Sequence, residues 1–272
     1  MKTILVATDF SPAALNAVNY AADMALAVNA NLLLLHVYQI PVAYLEVPVV
    51  LNEEEMRAGA EKQLTKVKAE LSAQSGFKIN IDIEVKTGVF YQELKALCEK
   101  TDPYVVVMGS QGTTAAERLF FGGHTVHAMK YLTWPLITVP QDVKFNKIKK
   151  IGLACDFDKV VDTTPVDEIK LLVKDFSAEL HVLNTGKQKV FNPNIVFESG
   201  LMQEMLAELK PSYHFTTNSN IDEGIMDFSE RNHLDLLLVL PKRHGLIDSL
   251  IHKSHTKELV LHSHVPVMAL HQ

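Results

Sequence analysis

The sequence predicts an α/β fold built as two tandem doubly wound domains, each with a parallel five-stranded sheet. Short, continuously apolar segments such as 32–37 and 104–108 alternate with helical patterns. This is typical of parallel strands that helices cover on both faces. The same order of elements then occurs again about half a chain later. Because solenoid units are only about 20–50 residues long, a two-copy repeat of this length indicates a tandem of complete domains.

Four pairs of segments define the repeat. The first apolar run of each copy ends in Asp-Phe, at 9–10 and 156–157. The later runs are at 32–37 and 180–184, at 104–109 and 236–241, and at 134–139 and 265–270. This alignment sets Pro241 opposite Gly109 and predicts domains at 1–143 and 148–272, with the polar, basic segment 144–150 as the linker.

The helices of the first copy have recognisable starts. Ser11 supplies a capping oxygen, and Pro12 occupies the first turn, where its missing N–H costs nothing. Asn52 and Glu55 resemble a capping box for a second helix. A third helix is predicted after Gly88. With the strands between them, these helices complete the doubly wound pattern.

Composition excludes several classes of protein. The chain is 47% hydrophobic and has 32 acidic against 26 basic residues, a formal charge of −6. It is therefore not disordered or fibrous, and it has no diffuse positive field for nucleic acid or an anionic membrane. No window approaches the roughly 18–20 apolar residues of a membrane span, so we expect a cytoplasmic protein. Cys98 and Cys155 lie far apart in apolar segments and are predicted to be buried thiols.

The carboxyl ends of the strands are where ligands bind in an open parallel sheet. This rule selects Asp9, Val37 and the segment that begins at Gly109. That segment reads Gly109-Ser110-Gln111-Gly112, then nine residues, then Gly122-Gly123-His124-Thr125 at a helix start. Glycines after a strand let backbone N–H groups approach a phosphate, and a helix start adds its dipole. A plain tight turn is the alternative.

These motifs resemble the universal stress protein family. Gly109, Gly112 and Gly122 match the glycine spacing of its nucleotide-binding members, whereas Gly123 departs from the serine or threonine that follows there. Thr-Asp-Phe-Ser at 8–11, Leu-His-Val at 35–37, Val-Val-Met-Gly at 106–109 and Trp-Pro-Leu-Ile-Thr-Val-Pro at 134–140 match other family signatures. The resemblance covers essentially the whole first copy.

The resemblance implies a site for ATP, with or without Mg²⁺, in the N-terminal domain. Asp9 would lie near the ribose and phosphates, and Val37 would offer backbone groups to adenine. Around the phosphates and beside them, the predicted site residues are Ala7, Thr8, Met108, Gly109, Gly112, Gly122, Gly123, His124 and Thr125, with Ser110 and Gln111 nearby. A purely structural role is the alternative for three residues of the predicted site: a turn hydrogen bond for Asp9, core packing for Val37 and a helix cap for Thr125.

The second copy keeps Asp156 but not the glycines. In their place stand Pro241-Lys242-Arg243-His244 and, later, Ser254-His255-Thr256. Pro241 lacks a backbone N–H, and the side chains that follow fill space where bare backbone would approach a phosphate. We therefore predict one nucleotide per chain, bound in the first domain.

Three functions remain open from the sequence. The favoured one is a cytosolic stress-response protein that binds an adenine nucleotide and couples its occupancy to an unidentified protein partner. The second is a slow ATPase, although no Walker-type lysine follows the glycines, and only Arg118 and His124 offer charged donors. The third is a structural protein that binds no nucleotide.

The remaining features concern assembly and metals. The last strands, near 136–139 and 266–270, are predicted to meet in an intramolecular pseudo-dimer, which hides their edges; a homodimer is left open. Six histidines lie between 244 and 271, including His252-x-x-His255 and His262-x-His264. Without a fixed second shell, we expect no intrinsic metal there. Residues 38–51 form a lid, a partner surface or a packed loop.

Overall fold

The computed structural model describes residues 2–40, 52–110, 122–186, 193–241 and 255–271. The strands are β1 (Thr3–Ala7), β2 (Asn31–Tyr38), β3 (Ile81–Thr87), β4 (Val105–Gly109), β5 (Leu136–Val139), β6 (Lys150–Ala154), β7 (Glu179–Gly186), β8 (Ser212–Thr217), β9 (Leu236–Val239) and β10 (Val267–Ala269). The α-helices are α1 (Pro12–Val28), α2 (Glu53–Gln74), α3 (Phe90–Thr101), α4 (Gly122–Tyr131), α5 (Val160–Thr163), α6 (Val166–Phe176), α7 (Pro193–Met205), α8 (Ile221–Arg231) and α9 (His255–His262). A 3₁₀ turn, Ala207–Leu209, follows α7.

The ten strands of the described ranges form one sheet, in the order β3-β2-β1-β4-β5-β10-β9-β6-β7-β8. Every pairing within a half is parallel, whereas β5 and β10 pair antiparallel where the halves meet, with Ile137 opposite Met268. The two segments that were predicted to meet therefore do so. The sequence predicted two five-stranded sheets; each half does contribute five strands, but the β5–β10 pairing joins them into a single sheet.

Each half has one point at which the strand order reverses. In the first half the chain runs from β1 outward to β2 and β3, then returns to β4 on the other side of β1. Right-handed crossovers place successive helices on opposite faces after such a reversal. Thus α1 and α2 pack on one face of β1 and β2, and α3 and α4 pack on the other. The crevice between β1 and β4 is the place where this fold binds ligands.

The helix starts follow the sequence signals. The hydroxyl of Ser11 accepts a hydrogen bond from the Ala14 N–H at the start of α1. At α2, the Asn52 side chain accepts from the Glu54 N–H and donates to the Glu55 carboxylate, a variant of the predicted capping box. One face of α3 is buried through Leu94, Leu97 and Cys98, as predicted. Burial raises the pKa of the Cys98 thiol to about 12.

The connection between β5 and β6 is held by both halves. The Asn16 side chain of α1 donates to the carbonyls of Pro140 and Val143. The carboxylate of Asp235 accepts from the Lys149 and Lys150 N–H groups. Both predicted domain boundaries, 143 and 148, lie inside this connection. The connection is therefore held by hydrogen bonds to both halves and is not a flexible linker.

A histidine pair joins β7 and β8, the two outermost strands of the second half. Nδ1 of His181 lies 3.1 Å from Nε2 of His214, so one hydrogen lies between the rings and at least one of them is neutral. Glu179 faces His181 at 3.6 Å, and the His214 ring packs on Phe228. Burial, and then the charge of His181, lowers the pKa of His214.

This pair predicts acid sensitivity of the fold. Because the pKa of His214 is lowered in the folded state, the unfolded chain takes up the proton first. The contribution of neutral His214 to the stability of the folded protein is complete above about pH 6.5 and is lost as the pH falls below that value. Urea unfolding at pH 7.5 and 5.5 should show a smaller loss of stability in His214→Gln than in the unaltered chain. An equal loss in both proteins would contradict the assignment.

Candidate functional site

The turn between β1 and α1 is fixed by its own side chains. The Phe10 N–H donates to the Thr8 hydroxyl (3.0 Å), and the Ser11 N–H donates to Oδ1 of Asp9 (2.9 Å). These bonds hold Phe10 at a φ of +66°, an unusual conformation for a residue with a side chain. Asp9 therefore makes the turn hydrogen bond that was considered as its structural role, while its side chain remains exposed at the carboxyl edge of the sheet.

The end of β2 is tied to this turn. The Thr8 N–H donates to the Leu35 carbonyl (2.9 Å), and Nδ1 of His36 lies 2.8 Å from the Thr8 carbonyl. Because a carbonyl only accepts, Nδ1 of His36 carries the hydrogen. Of the Leu-His-Val segment at 35–37, only Val37 was predicted as a site residue, so the role of His36 was missed. Val37 itself pairs with Lys86 of β3, and its side chain packs on the α3 and α4 face.

Gly109 ends β4 directly against α1. A Cβ at this position would lie 2.8 Å from the carbonyl carbon and oxygen of Ala13 and 3.0 Å from the N atom of Ala14. These are backbone atoms that cannot move aside cheaply. Positive φ values among the described glycines occur at Gly76 and Gly88, so close packing and not a tight turn explains why this position is glycine.

The buried hydroxyl of Thr125 joins α4 to β4. It donates to the Gly109 carbonyl at 3.2 Å and is 5% exposed, so it bridges two elements instead of capping its helix. The neighbouring Ser110 is also buried, and its N–H donates to the Val139 carbonyl of β5. Together these bonds fix the start of α4 above the end of β4.

The first turn of α4 is open. Gly122 begins the helix, and a Cβ on Gly123 would meet no heavy atom within 4 Å. His124 is exposed, with its ring 5.1 Å from that of Phe90. Further along α4, burial lowers the pKa of His127, and His124 and Lys130 lower it further. The first N–H groups of a helix have no partner within the helix itself, and glycine at this turn adds no side chain over them, so the start of α4 is suited to an anion.

Most of the predicted site residues converge at the reversal point. Val6 pairs with Val107, which sets Ala7 and Thr8 beside Met108 and Gly109 at the edge of adjacent strands. Thr125 reaches this edge through its bond to Gly109, whereas Val37 lies one strand away. Gly112, Gln111 and Arg118 lie outside the described residues.

The second half repeats the turn but not the glycine. The Phe157 N–H contacts Sγ of Cys155 (3.3 Å), the Asp158 N–H donates to Asp156 (3.2 Å), and Phe157 has a φ of +51°. The side chain of Asn184 donates to the Cys155 carbonyl and so takes the place of His36. Cys155 is only half buried, less than its apolar segment predicted, and no disulfide joins Cys155 to Cys98.

The strand register corrects the repeat alignment at β9. Val105 pairs with Ile4, and Leu236 pairs with Ile151 at the matching position of the second half. Counting along the strands places Leu240, not Pro241, opposite Gly109. Pro241 instead matches Ser110, whose N–H bonds to β5 in the first half. The apolar strands of the two copies fit equally well with a shift of one residue, which is why sequence matching missed it.

The C-terminal histidines lie only partly within the described residues. His244 and His252 lie outside the described residues, as does the side chain of His255. Within the part of the chain that is described, no three His, Cys, Asp or Glu side chains are arranged to hold a metal, and no helix is long and apolar enough to cross a membrane. Residues 41–51 of the predicted lid or partner surface are also outside the described ranges.

The fold and this crevice define a doubly wound α/β protein, a class in which ligands bind where the strand order reverses. The model of the universal stress protein family matches residues 1–140, which is more than half of the chain. The protein therefore belongs to the universal stress protein family. A search of curated proteins gave no match.

Solved structures with the same overall fold cover the whole chain. A universal stress protein from Archaeoglobus fulgidus is 18% identical, with a TM-score of 0.74 over 99% of this chain and 96% of that chain. A putative universal stress protein from Pseudomonas aeruginosa is 13% identical, with a TM-score of 0.63 over 100% of this chain and 93% of that chain. At these identities the likeness shows the fold alone.

Proposed function

We propose that this protein binds one adenine nucleotide per chain, ATP with or without Mg²⁺, in the crevice between β1 and β4 of its first half. The observation that carries the proposal is the convergence of the Thr8–Ser11 turn, the end of β4 and the open start of α4 at the point where the strand order reverses. Family membership supports the same place.

The chemistry of the residues fits the parts of a nucleotide. The first-turn N–H groups of α4 suit phosphate oxygens, and Gly123 leaves them uncovered. The exposed carboxylate of Asp9 would repel phosphate but accepts hydrogen bonds from ribose hydroxyls. Thr125 supports the site indirectly, because its hydroxyl holds α4 to the carbonyl of Gly109.

The second half lacks the corresponding features. Leu240 has a side chain where the first half has bare Gly109, and in the sequence Ser254 and His255 stand in place of the glycines Gly122 and Gly123. Each lost hydrogen bond to a charged oxygen costs roughly 1.5–3 kcal/mol, so two or three losses remove most of the roughly 8 kcal/mol of micromolar binding. We therefore propose that the second half binds no nucleotide.

Contacts between the halves support a regulatory role. The carbonyl of Met129, near the end of α4, lies 3.0 Å from Nε2 of His271 in the second half, and β5 pairs with β10. Binding of a nucleotide at the start of α4 would thus affect the contacts at the junction of the halves. We propose that the protein acts in the cytoplasm in this way, coupling nucleotide occupancy to contacts with a protein partner.

Calorimetry with ATP and Mg²⁺ is expected to give a stoichiometry near one. Gly123→Glu should abolish this binding, because its carboxylate repels phosphate, while an acidic residue in the first turn keeps the helix stable. Gly123→Gln, of the same size but neutral, is the matched control and should lose much less affinity. Equal binding by both variants would mean that the phosphates lie elsewhere.

The other outcomes separate the remaining functions. A stoichiometry of two would contradict the asymmetry between the halves. Absence of binding, together with no nucleotide released when the purified protein is denatured, would favour the structural role. Steady release of phosphate from the ATP-bound protein would instead identify a slow ATPase.

A further inference from the structure

The strand β3 lies at one end of the sheet, and within the described ranges no strand pairs with its outer edge. Its bonds to β2 show which backbone groups point outward. Just before β3 the carbonyl of Asn80 accepts from β2, and just after it the N–H of Gly88 donates to β2. Because successive residues of a strand direct their N–H and C=O groups to alternate sides, the even-numbered residues face β2. The backbone groups of Ile83, Val85 and Thr87 therefore point outward.

The side chains of β3 divide between two faces. Ile83 and Val85 face α2 and are half-buried, beside a groove of about 420 Å³ between the strand and the helix. Glu84 and Lys86 lie on the opposite face, with side chains 31% and 35% exposed. Nζ of Lys86 is 2.9 Å from Oε1 of Glu84, so the edge carries two adjacent, accessible charges of opposite sign.

The order of these charges complements itself in one register. Two copies of β3 related by a two-fold axis pair antiparallel. With the axis at Val85, Glu84 of each copy lies opposite Lys86 of the other. With the axis at Asp82, Ile83, Glu84 or Lys86, like charges lie opposite each other, which is destabilising. Charged side chains on an edge strand normally prevent pairing with another chain, and here they leave one register open.

The same register satisfies the outward backbone groups. Val85 lies opposite Val85 of the second copy, and Ile83 lies opposite Thr87, so all these pairs join through groups that point outward. Glu84 and Lys86 fall between the bonded pairs, at positions where facing side chains approach most closely. Backbone bonding and charge therefore select the same arrangement.

The other end of the sheet offers no such pattern. The strand β8 (Ser212–Thr217) contains no Asp, Glu, Lys or Arg, so its sequence selects no register by charge. Pairing of β3 with β8 of another copy would set Glu84 and Lys86 opposite uncharged or weakly basic side chains. Such a contact is also heterologous, and repeated in one plane it would build filaments instead of closed dimers.

We infer that the outer edge of β3 is an interface through which two copies of this chain form a homodimer. The two strands pair antiparallel about Val85, and ion pairs between Glu84 and Lys86 connect the copies on either side of the axis. The contact lies outside the β1–β4 crevice, so dimerisation and nucleotide binding succeed or fail as separate proposals.

The test reverses the charges and measures self-association of the full chain by analytical ultracentrifugation without nucleotide. Lys86→Glu sets carboxylates opposite each other, and Glu84→Lys does the same with ammonium groups. Each variant alone should dimerise at least about tenfold more weakly than the unaltered chain. An equimolar mixture of the two should regain the original affinity, because every facing pair is again opposite in charge. The chain carrying both changes should regain it by itself, and neither result could come from misfolding.

Amide hydrogen exchange locates the contact. Where the unaltered chain is dimeric, the N–H groups of Ile83, Val85 and Thr87 should exchange at least about tenfold more slowly than in Lys86→Glu. The N–H of Glu84, which faces β2, should be protected equally in both proteins. Failure of the unaltered chain to self-associate, equal association by Lys86→Glu, a mixture no stronger than its components, or filaments in place of dimers would each overturn the proposal.

Discussion

Replacing Gly109 by valine is expected to lower the free energy of unfolding by about 3 kcal/mol or more. The reason lies in the contact between β4 and α1. Even a Cβ would lie 2.8 Å from the Ala13 carbonyl group, and real Cβ atoms essentially never approach backbone that closely. To make room, α1 would have to move away from the strand, although its buried alanines pack it tightly against the sheet.

Urea unfolding of two alanine variants provides the control. Gly109→Ala and Gly123→Ala add the same methyl group, one against the backbone of α1 and the other in open space at the start of α4. Gly109→Ala should lose about 1–3 kcal/mol, whereas Gly123→Ala should be unchanged or slightly stabilised. Equal unfolding midpoints for the two variants would show that the contact with Ala13 is not close in solution.

This contact also changes how a glycine motif should be tested. A Gly109 variant that fails to bind ATP is ambiguous, because misplacement of α1 would disturb the Asp9 turn as well. Gly123 has no such packing role in the described structure, so its variants report on the ligand more directly. The glycines of one motif therefore serve different purposes, which their spacing in the sequence does not reveal.

The fold could be predicted because each of its signals is local. Apolar runs mark the strands, Ser11 and Asn52 mark helix starts, and repetition of the whole order marks the tandem. Helix faces are harder to predict: Leu26 of α1 is apolar, yet it is 39% exposed near the helix end. Strand register could not be read, because runs of valine and leucine look alike after a shift of one residue.

The location of the candidate site stays a prediction from the sequence, and the hydrogen bonds that build it could not be predicted. The rule that ligands bind at strand ends selected Asp9 and Gly109, and the pairing of β1 with β4 places both at the same edge of the sheet. The bonds that build the crevice, from His36 to Thr8 and from Thr125 to Gly109, join residues 28 and 16 positions apart. They depend on strand register and helix placement. No pattern in the residues specifies them, and the role of His36 therefore emerged only from the structure.

Gly123→Ser is expected to strengthen ATP binding about 10- to 100-fold. Serine or threonine at this position is the family pattern from which the chain departs, and the space around Gly123 can accept the side chain without a clash. A hydroxyl at the first turn of α4 would donate to a phosphate oxygen, a charge-assisted bond that contributes roughly 1.5–3 kcal/mol. Each 1.4 kcal/mol is a tenfold change in affinity.

Calorimetry should compare the unaltered chain with Gly123→Ser and with Gly123→Ala, which adds the Cβ but no donor and should leave affinity nearly unchanged. The stoichiometry should stay near one throughout, because the second half is untouched. If serine and alanine gave the same affinity, the phosphates would not lie at the start of α4, and the placement of the nucleotide in this crevice would have to be abandoned.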